Sequence, residues 1–171
     1  MHPVEIKQAL DSMVILCDTR EQETPALLRR MRDTGRPWER ACLASGDYSA
    51  RFLLPNGEVF SMADTVAIER KMSVGEICGN FTRGRDRFKR EFERMKEKGG
   101  KLYILVEGAS WENISAGKYR SRLSPASLTA SICTWSARYG TQFIFCKPET
   151  TGQMIERILY YEAKERLEKM E

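Results

Sequence analysis

Four carboxylates and one lysine, set at the ends of apolar runs, are where this sequence could do chemistry. Asp18 and Glu21 follow one run, Asp47 opens a second, and Glu69 nears the end of a third. Residues two apart in a strand share a face, so Glu69 and Lys71 project together while Arg70 points the other way. The stretch between Asp47 and Glu69 is long enough for two strands and a turn, which can set the two acids side by side. Two or three converging carboxylates without histidine make a hard-oxygen site, suited to Mg²⁺ or Mn²⁺ rather than zinc. Such a cation could polarise a phosphodiester for in-line attack by water, with Lys71 orienting that water or neutralising the transition state. Acids at strand ends are also common as solvated residues, and an isolated D…ExK pattern arises by chance in many sequences.

Other chemistries have little to build on. The only histidine is His2, at what reads as a mobile terminus, so Ser/His or Cys/His catalysis and His-ligated zinc lack support. The five cysteines (Cys17, Cys42, Cys78, Cys133 and Cys146) stand far apart with no CxxC spacing. Their odd number points to a reduced compartment, and Cys17 and Cys146 lie in apolar runs as small buried hydrophobes. No phosphate-cradling GxxxxGK loop appears, which disfavours a small-molecule phosphatase or similar Mg²⁺ enzyme. No signal-peptide core or membrane span is present, so a cytoplasmic location and no membrane partner are expected.

The elements that must position these residues follow from periodicity. Residues 13–18 (MVILCD) form a buried strand with a charged tip. Thr24 and Pro25 start a helix, as N-cap and first helical residue, with Leu27, Leu28 and Met31 on one face and Gly35 at its end. Residues 40–44 and 47–54 read as two strands joined at Ser45-Gly46 in a meander, followed by a turn at Pro55-Asn56-Gly57. Residues 65–70 form the strand that carries Glu69. From 74 to 98 the period becomes helical, with Ile77, Phe81, Phe88, Phe92 and Met95 inward and a break at Gly84. A strand at 102–107, a helix from Ser124-Pro125 to Gly140, a strand at 142–146 and a helix over 151–169 complete the chain. Trp111, Trp135 and the phenylalanine stripe are expected in the core. The predicted fold is a mixed α/β domain, one central sheet with helices on both faces, in a single domain over residues 1–171.

Four segments together carry a resemblance: VILCDTREQ at 14–22, ASGDYS at 44–49, AIERK at 67–71 and GRDRFKREFERM at 84–95. They resemble the XPF family of structure-specific endonucleases, whose signature is GD…ERKxxxD. LYILVEG at 102–108 and YRSRLSPASL at 119–128 are similar to the same domains. The resemblance implies a restriction-endonuclease-like PD-(D/E)xK fold and Mg²⁺- or Mn²⁺-dependent cleavage of flaps, forks and other branched DNA in repair or recombination. It makes Asp18, Asp47 and Glu69 metal ligands, Lys71 the catalytic lysine, and Glu21, Arg20 and Arg70 supporting catalytic or phosphate-positioning groups. It further implies a homodimer or heterodimer formed through the nuclease domain, and it extends to inactive DNA-binding or scaffolding partners, the alternative reading. Where the signature ends in aspartate this chain has Gly75, and Glu76 is the acid available in its place. A helix-hairpin-helix module is not expected in a chain of this length.

Net charge is only +4, from 28 Lys and Arg against 24 Asp and Glu. It concentrates locally. Arg83, Arg85 and Arg87, and then Lys118, Arg120 and Arg122 around Tyr119, are the candidate DNA contacts, with Tyr119 a possible base-stacking surface. Lys96 and Lys98 read as a solvated helix face.

Overall fold

Residues 1–170 are described by the computed structural model, which mixes helices and strands along the chain. Helix α1 (Pro3–Asp11) precedes β1 (Val14–Asp18), α2 (Pro25–Asp33), β2 (Trp38–Ala41), β3 (Tyr48–Leu53), β4 (Val59–Ser61) and β5 (Val66–Lys71). Then come α3 (Val74–Phe81), α4 (Arg85–Glu97), β6 (Lys101–Glu107), α5 (Trp111–Ser115), α6 (Pro125–Tyr139), β7 (Phe143–Cys146) and α7 (Thr151–Glu168). The strands form one mixed sheet in the order β2-β1-β3-β5-β6-β7, with β4 paired to β3 at one side.

Local chemistry explains most boundaries. Thr24 Oγ1 accepts the Leu27 N–H at 3.2 Å, and Pro25 opens α2 where its missing N–H costs nothing. Ser124 caps α6 in the same way, and Gly140 ends that helix in the left-handed region at φ +63°. Gly84 separates α3 from α4 as expected.

Residues 40–44 and 47–54 do not form a meander. β2 pairs in parallel with β1, and β3 pairs antiparallel with the other edge of β1, so β1 lies between them. The helix α2 between β1 and β2 makes that connection a crossover, which returns the chain parallel to where it began. The N-terminus also differs from the reading of a mobile end. His2 caps α1, its Nδ1 accepting the Val4 N–H while Glu5 accepts the His2 N–H. Ile6, Ala9 and Leu10 of α1 are buried.

Two cores sit on the two faces of the sheet. One joins α1, α2 and α7 to Ile15, Cys17, Tyr48, Val66, Ile68 and Leu105. The other joins α3, α4 and α6 to Ala67, Ile104 and Val106, around stacked and edge-on rings of Phe81, Phe88, Phe92 and Trp135. Trp111 departs from the expected core position and is 42% exposed, and Leu28 of α2 is exposed as well. Burial alternates along β5, with Val66 and Ile68 in the first core and Ala67 in the second. Strand geometry therefore carries Arg70 toward α2 and α7, and Glu69 and Lys71 toward α3 and α4.

Candidate active site

The site is built from backbone outward. Gly46, at φ +73°, lies so close to β5 that an added Cβ would stand 2.9 Å from Ala67 Cβ and 3.0 Å from the Ile68 carbonyl oxygen. Only glycine allows that approach at that φ. It lets the next residue pair with both neighbouring strands: the Asp47 N–H donates to Ile68 O at 2.8 Å, and Asp47 O accepts from the Asp18 N–H at 2.8 Å. The Asp47 carboxylate then receives the Arg70 N–H on Oδ2, also at 2.8 Å.

Glu69 and Lys71 share one face of β5, and Lys71 Nζ lies 2.5 Å from Glu69 Oε1. Asp47 is squeezed electrostatically. Burial and then the nearby Glu69 charge push its pKa up to about 8, against the opposing hydrogen bond from Arg70. Lys71 shows the reverse balance: burial alone would depress it, but Glu69, then Glu76 and Asp47, outweigh burial and hold the ammonium above its usual range. Its ammonium also lies 5.5 Å from the centre of the Phe88 ring. Glu76 does face this lysine, Oε1 standing 3.9 Å from Nζ, while its other oxygen accepts the Met72 N–H.

Gly75 has its own cause. A Cβ there would stand 2.9 Å from the Arg120 carbonyl oxygen, so the loop carrying Lys118, Arg120 and Arg122 packs directly on the start of α3. The exposed basic loop is thereby tied to the segment that follows Lys71. Tyr119 is half-buried, packed against the second core with its hydroxyl donating to Leu123 O at 2.7 Å, so only part of its ring faces solvent. Arg83, Arg85 and Arg87 are exposed where α4 begins.

Asp18, whose N–H donates to Asp47 O, has its side chain held by hydrogen bonds of its own. Its Oδ2 accepts the Leu43 N–H at 2.8 Å, and its Oδ1 accepts both the backbone N–H and the Nε–H of Arg20. Burial alone would raise its pKa, but these hydrogen bonds outweigh it and hold the carboxyl below the usual range. Arg20 reaches on to Leu43 O at 3.2 Å. Asp18 and Arg20 thus clamp the loop that presents Asp47. Among the described residues no three His, Cys, Asp or Glu side chains stand close enough to hold a metal ion together. Both Asp18 oxygens are engaged in the hydrogen bonds from Leu43 and Arg20, while Asp47 and Glu69 are the acids whose charges act directly on one another.

Glu21 and Arg70 belong to the other side of the sheet. Arg70 Nη1 donates to Glu107 at 3.0 Å, and Glu21 accepts from the Tyr48 hydroxyl at 3.0 Å. Two residues near the site escape notice in the sequence. Glu91 of α4 is partly buried, and its pKa is raised by burial and then by Glu69, with Lys71, Arg87 and Arg94 opposing. Arg94, one turn on, donates to Ala44 O at 3.3 Å across the Asp47 loop. Both lie within a run that reads as a charged outer face. Their one available signal is helical phase: Glu91 lies three residues beyond Phe88, which the apolar pattern places inward, and Arg94 lies three residues beyond Glu91.

The donor chemistry fits a divalent cation. Two carboxylates share a partly buried position, and burial and then the Glu69 charge drive Asp47 toward neutrality, a balance that a cation would reverse.

The family model of the ERCC4 domain matches residues 17–158. No curated protein matches the chain. Among solved structures, the chain is similar to XPF from Aeropyrum pernix, with 23% identity and a TM-score of 0.61, over 92% of this chain and 62% of that one. A second structure, of XPF from Aeropyrum pernix in complex with DNA, shares 24% identity and a TM-score of 0.61, over 90% of this chain and 66% of that one. The chain spans less than two thirds of the length of either.

Proposed function

Because the chain belongs to the ERCC4-domain family, we propose that it is a divalent-metal-dependent endonuclease that hydrolyses a DNA phosphodiester near a junction of single strand and duplex. The observation that carries this reading is the junction of two backbone hydrogen bonds, one backbone N–H donated to the Asp47 carboxylate and one close-packed glycine, which sets Asp47 against Glu69 and Lys71. Such precise support for two acids that repel one another is hard to account for by stability alone.

Asp47 and Glu69 would hold the cation, Mg²⁺ or Mn²⁺, which when bound supplies polarisation of the phosphodiester and neutralisation of its developing charge. Lys71 remains charged through Glu69 and Glu76, and its Nζ protons are available to a non-bridging phosphate oxygen or to the attacking water. Arg20 and Asp18 keep the Asp47 loop fixed, so the acid does not reorganise as the substrate enters. The basic loop at 118–122 and the start of α4 supply backbone contacts on either side.

Labelled flap, fork and plain duplex DNA, incubated with the purified chain, test the reading. Wild type with Mg²⁺ or Mn²⁺ is expected to nick branched substrates, chelator to stop it, and Glu69→Gln or Asp47→Asn to lower the rate by ~100-fold or more. Unchanged cleavage in both variants would sink the assignment. Binding to DNA with no cleavage under either metal would leave an inactive DNA-binding subunit.

A further inference from the structure

On the opposite side of β5 from Lys71 lies a cavity of about 410 Å³, which shares Arg20, Glu21 and Arg70 with the supporting groups of the catalytic reading but adds Arg29, Arg30 and Glu107, which that reading does not use. Four arginines line it, Arg20, Arg29, Arg30 and Arg70, against two glutamates, Glu21 and Glu107. The acids act as struts. Glu107 accepts from Arg70 at 3.0 Å and from Thr151 Oγ1 at 2.7 Å, and lies 3.9 Å from Arg30 Nε. Glu21 lies 3.8 Å from Arg30 Nη1, which also donates to the Tyr48 hydroxyl at 2.8 Å.

Arg30 is only 8% exposed, so its guanidinium is fixed in orientation before anything enters. Its remaining donors are not used: among the described residues only Nη1 makes a hydrogen bond. Arg70 Nε likewise has no acceptor, and Arg29 makes no ion pair among the described residues. A core that only needed stability would not leave guanidinium donors unspent beside a cavity with surplus positive charge. Guanidinium forks match phosphate oxygens in shape and charge, and a rigid, partly desolvated set binds them with little ordering cost. Met72, 67% exposed, and Pro148 add apolar surface at the rim.

We propose that this cavity is a second anion site, which takes a phosphate monoester carried by a nucleotide and lies apart from the carboxylate pair that hydrolyses DNA. That the phosphate belongs to a nucleotide rests on the endonuclease reading; that the cavity takes a phosphate does not. Two sources share the chemistry, the terminal phosphate of a DNA strand and a free nucleoside monophosphate.

The test is calorimetric or NMR titration of the full chain, in chelator and at low salt, with inorganic phosphate, dAMP and deoxyadenosine. Phosphate and dAMP are expected to bind, deoxyadenosine is not, and Arg29→Glu should weaken dAMP at least about tenfold while Glu69→Gln leaves it unchanged. Arg29 is exposed, so this variant keeps its fold; Arg30→Lys, which retains one charge but not the fork, should weaken dAMP as well. Short single strands with and without a terminal phosphate separate the sources. A preference for the phosphorylated strand that Arg29→Glu abolishes identifies a strand end, and equal binding of both strands beside Arg29-dependent dAMP binding identifies the free nucleotide. Failure of phosphate and dAMP to bind wild type, or binding insensitive to Arg29→Glu, overturns the proposal. Cleavage of DNA by a chain that binds no dAMP would remove this site and leave the endonuclease reading intact, and the converse result would do the reverse.

Discussion

At the scale of single residues, Asp47 has the clearest measurable consequence, because its fold opposes its ionisation. With its pKa near 8 in the folded chain and near 3.8 when exposed, the folded state binds the extra proton between those values. Stability attributable to Asp47 is therefore greatest at low pH and is lost as pH rises from about 4 to about 8. Glu91, also raised, contributes with the same sign. Asp18 is lowered, so its contribution is lost only as pH falls through the acidic range, outside this window. Thermal unfolding in chelator should accordingly give a Tm that falls from pH 5 to pH 8.5, and added Mn²⁺ should restore it most at the alkaline end. Asp47→Asn should flatten the profile and remove the Mn²⁺ effect; a wild-type profile already flat would contradict the electrostatic account. Alternation along a strand was sufficient to foresee that Glu69 and Lys71 share a face. It was not sufficient for Asp18, since nothing in a linear pattern says that the Leu43 N–H and Arg20 occupy both oxygens of a strand-end acid.

At the scale of elements, what was legible was whatever is encoded locally. The Thr24-Pro25 and Ser124-Pro125 caps, the helical break at Gly84 and the buried runs of β1, β5 and β6 all depend on neighbours in sequence. Partner choice between strands does not. β2 and β3 are separated by a short polar turn that suits a hairpin, yet α2 and the pairing of both with β1 decide otherwise. α1 has the spacing Ile6, Ala9, Leu10, but its cap is histidine, which carries no such signal. Gly75 shows the same dependence on distant chain. The signature position is glycine because the Arg120 carbonyl comes within 2.9 Å of where a Cβ would stand, and a backbone atom in a packed loop has little freedom to retreat. Gly75→Ala is therefore expected to displace the loop at 117–123, at a cost of ~1–3 kcal/mol typical of overpacking. Hydrogen exchange should rise in that loop while β5 and β6 stay protected, and affinity for DNA should fall. Unchanged exchange in the loop would show that its seating does not depend on this contact.

At the scale of the whole molecule, a net charge of +4 is too small to draw DNA by itself, so the binding that the proposed function requires would depend on where the cations stand. Two exposed clusters, Arg83, Arg85 and Arg87 on one side and Lys118, Arg120 and Arg122 on the other, are joined to the site through α3, α4 and the Gly75 contact. If each cation meets one phosphate, the logarithm of affinity for duplex should fall against the logarithm of salt with a slope near −5, at about −0.9 per contact. The decisive comparison makes the same change in net charge at two different places. Arg120→Glu and Lys7→Glu each alter the total by the same amount, but Lys7 lies on α1, exposed and paired with Asp11, against the other core. Arg120→Glu should weaken DNA binding and lower the slope by about one, whereas Lys7→Glu should leave the slope unchanged. Equal losses from both would mean that DNA responds to the molecule's total charge, and that the basic loop beside α3 has no special part in presenting a strand to Asp47, Glu69 and Lys71.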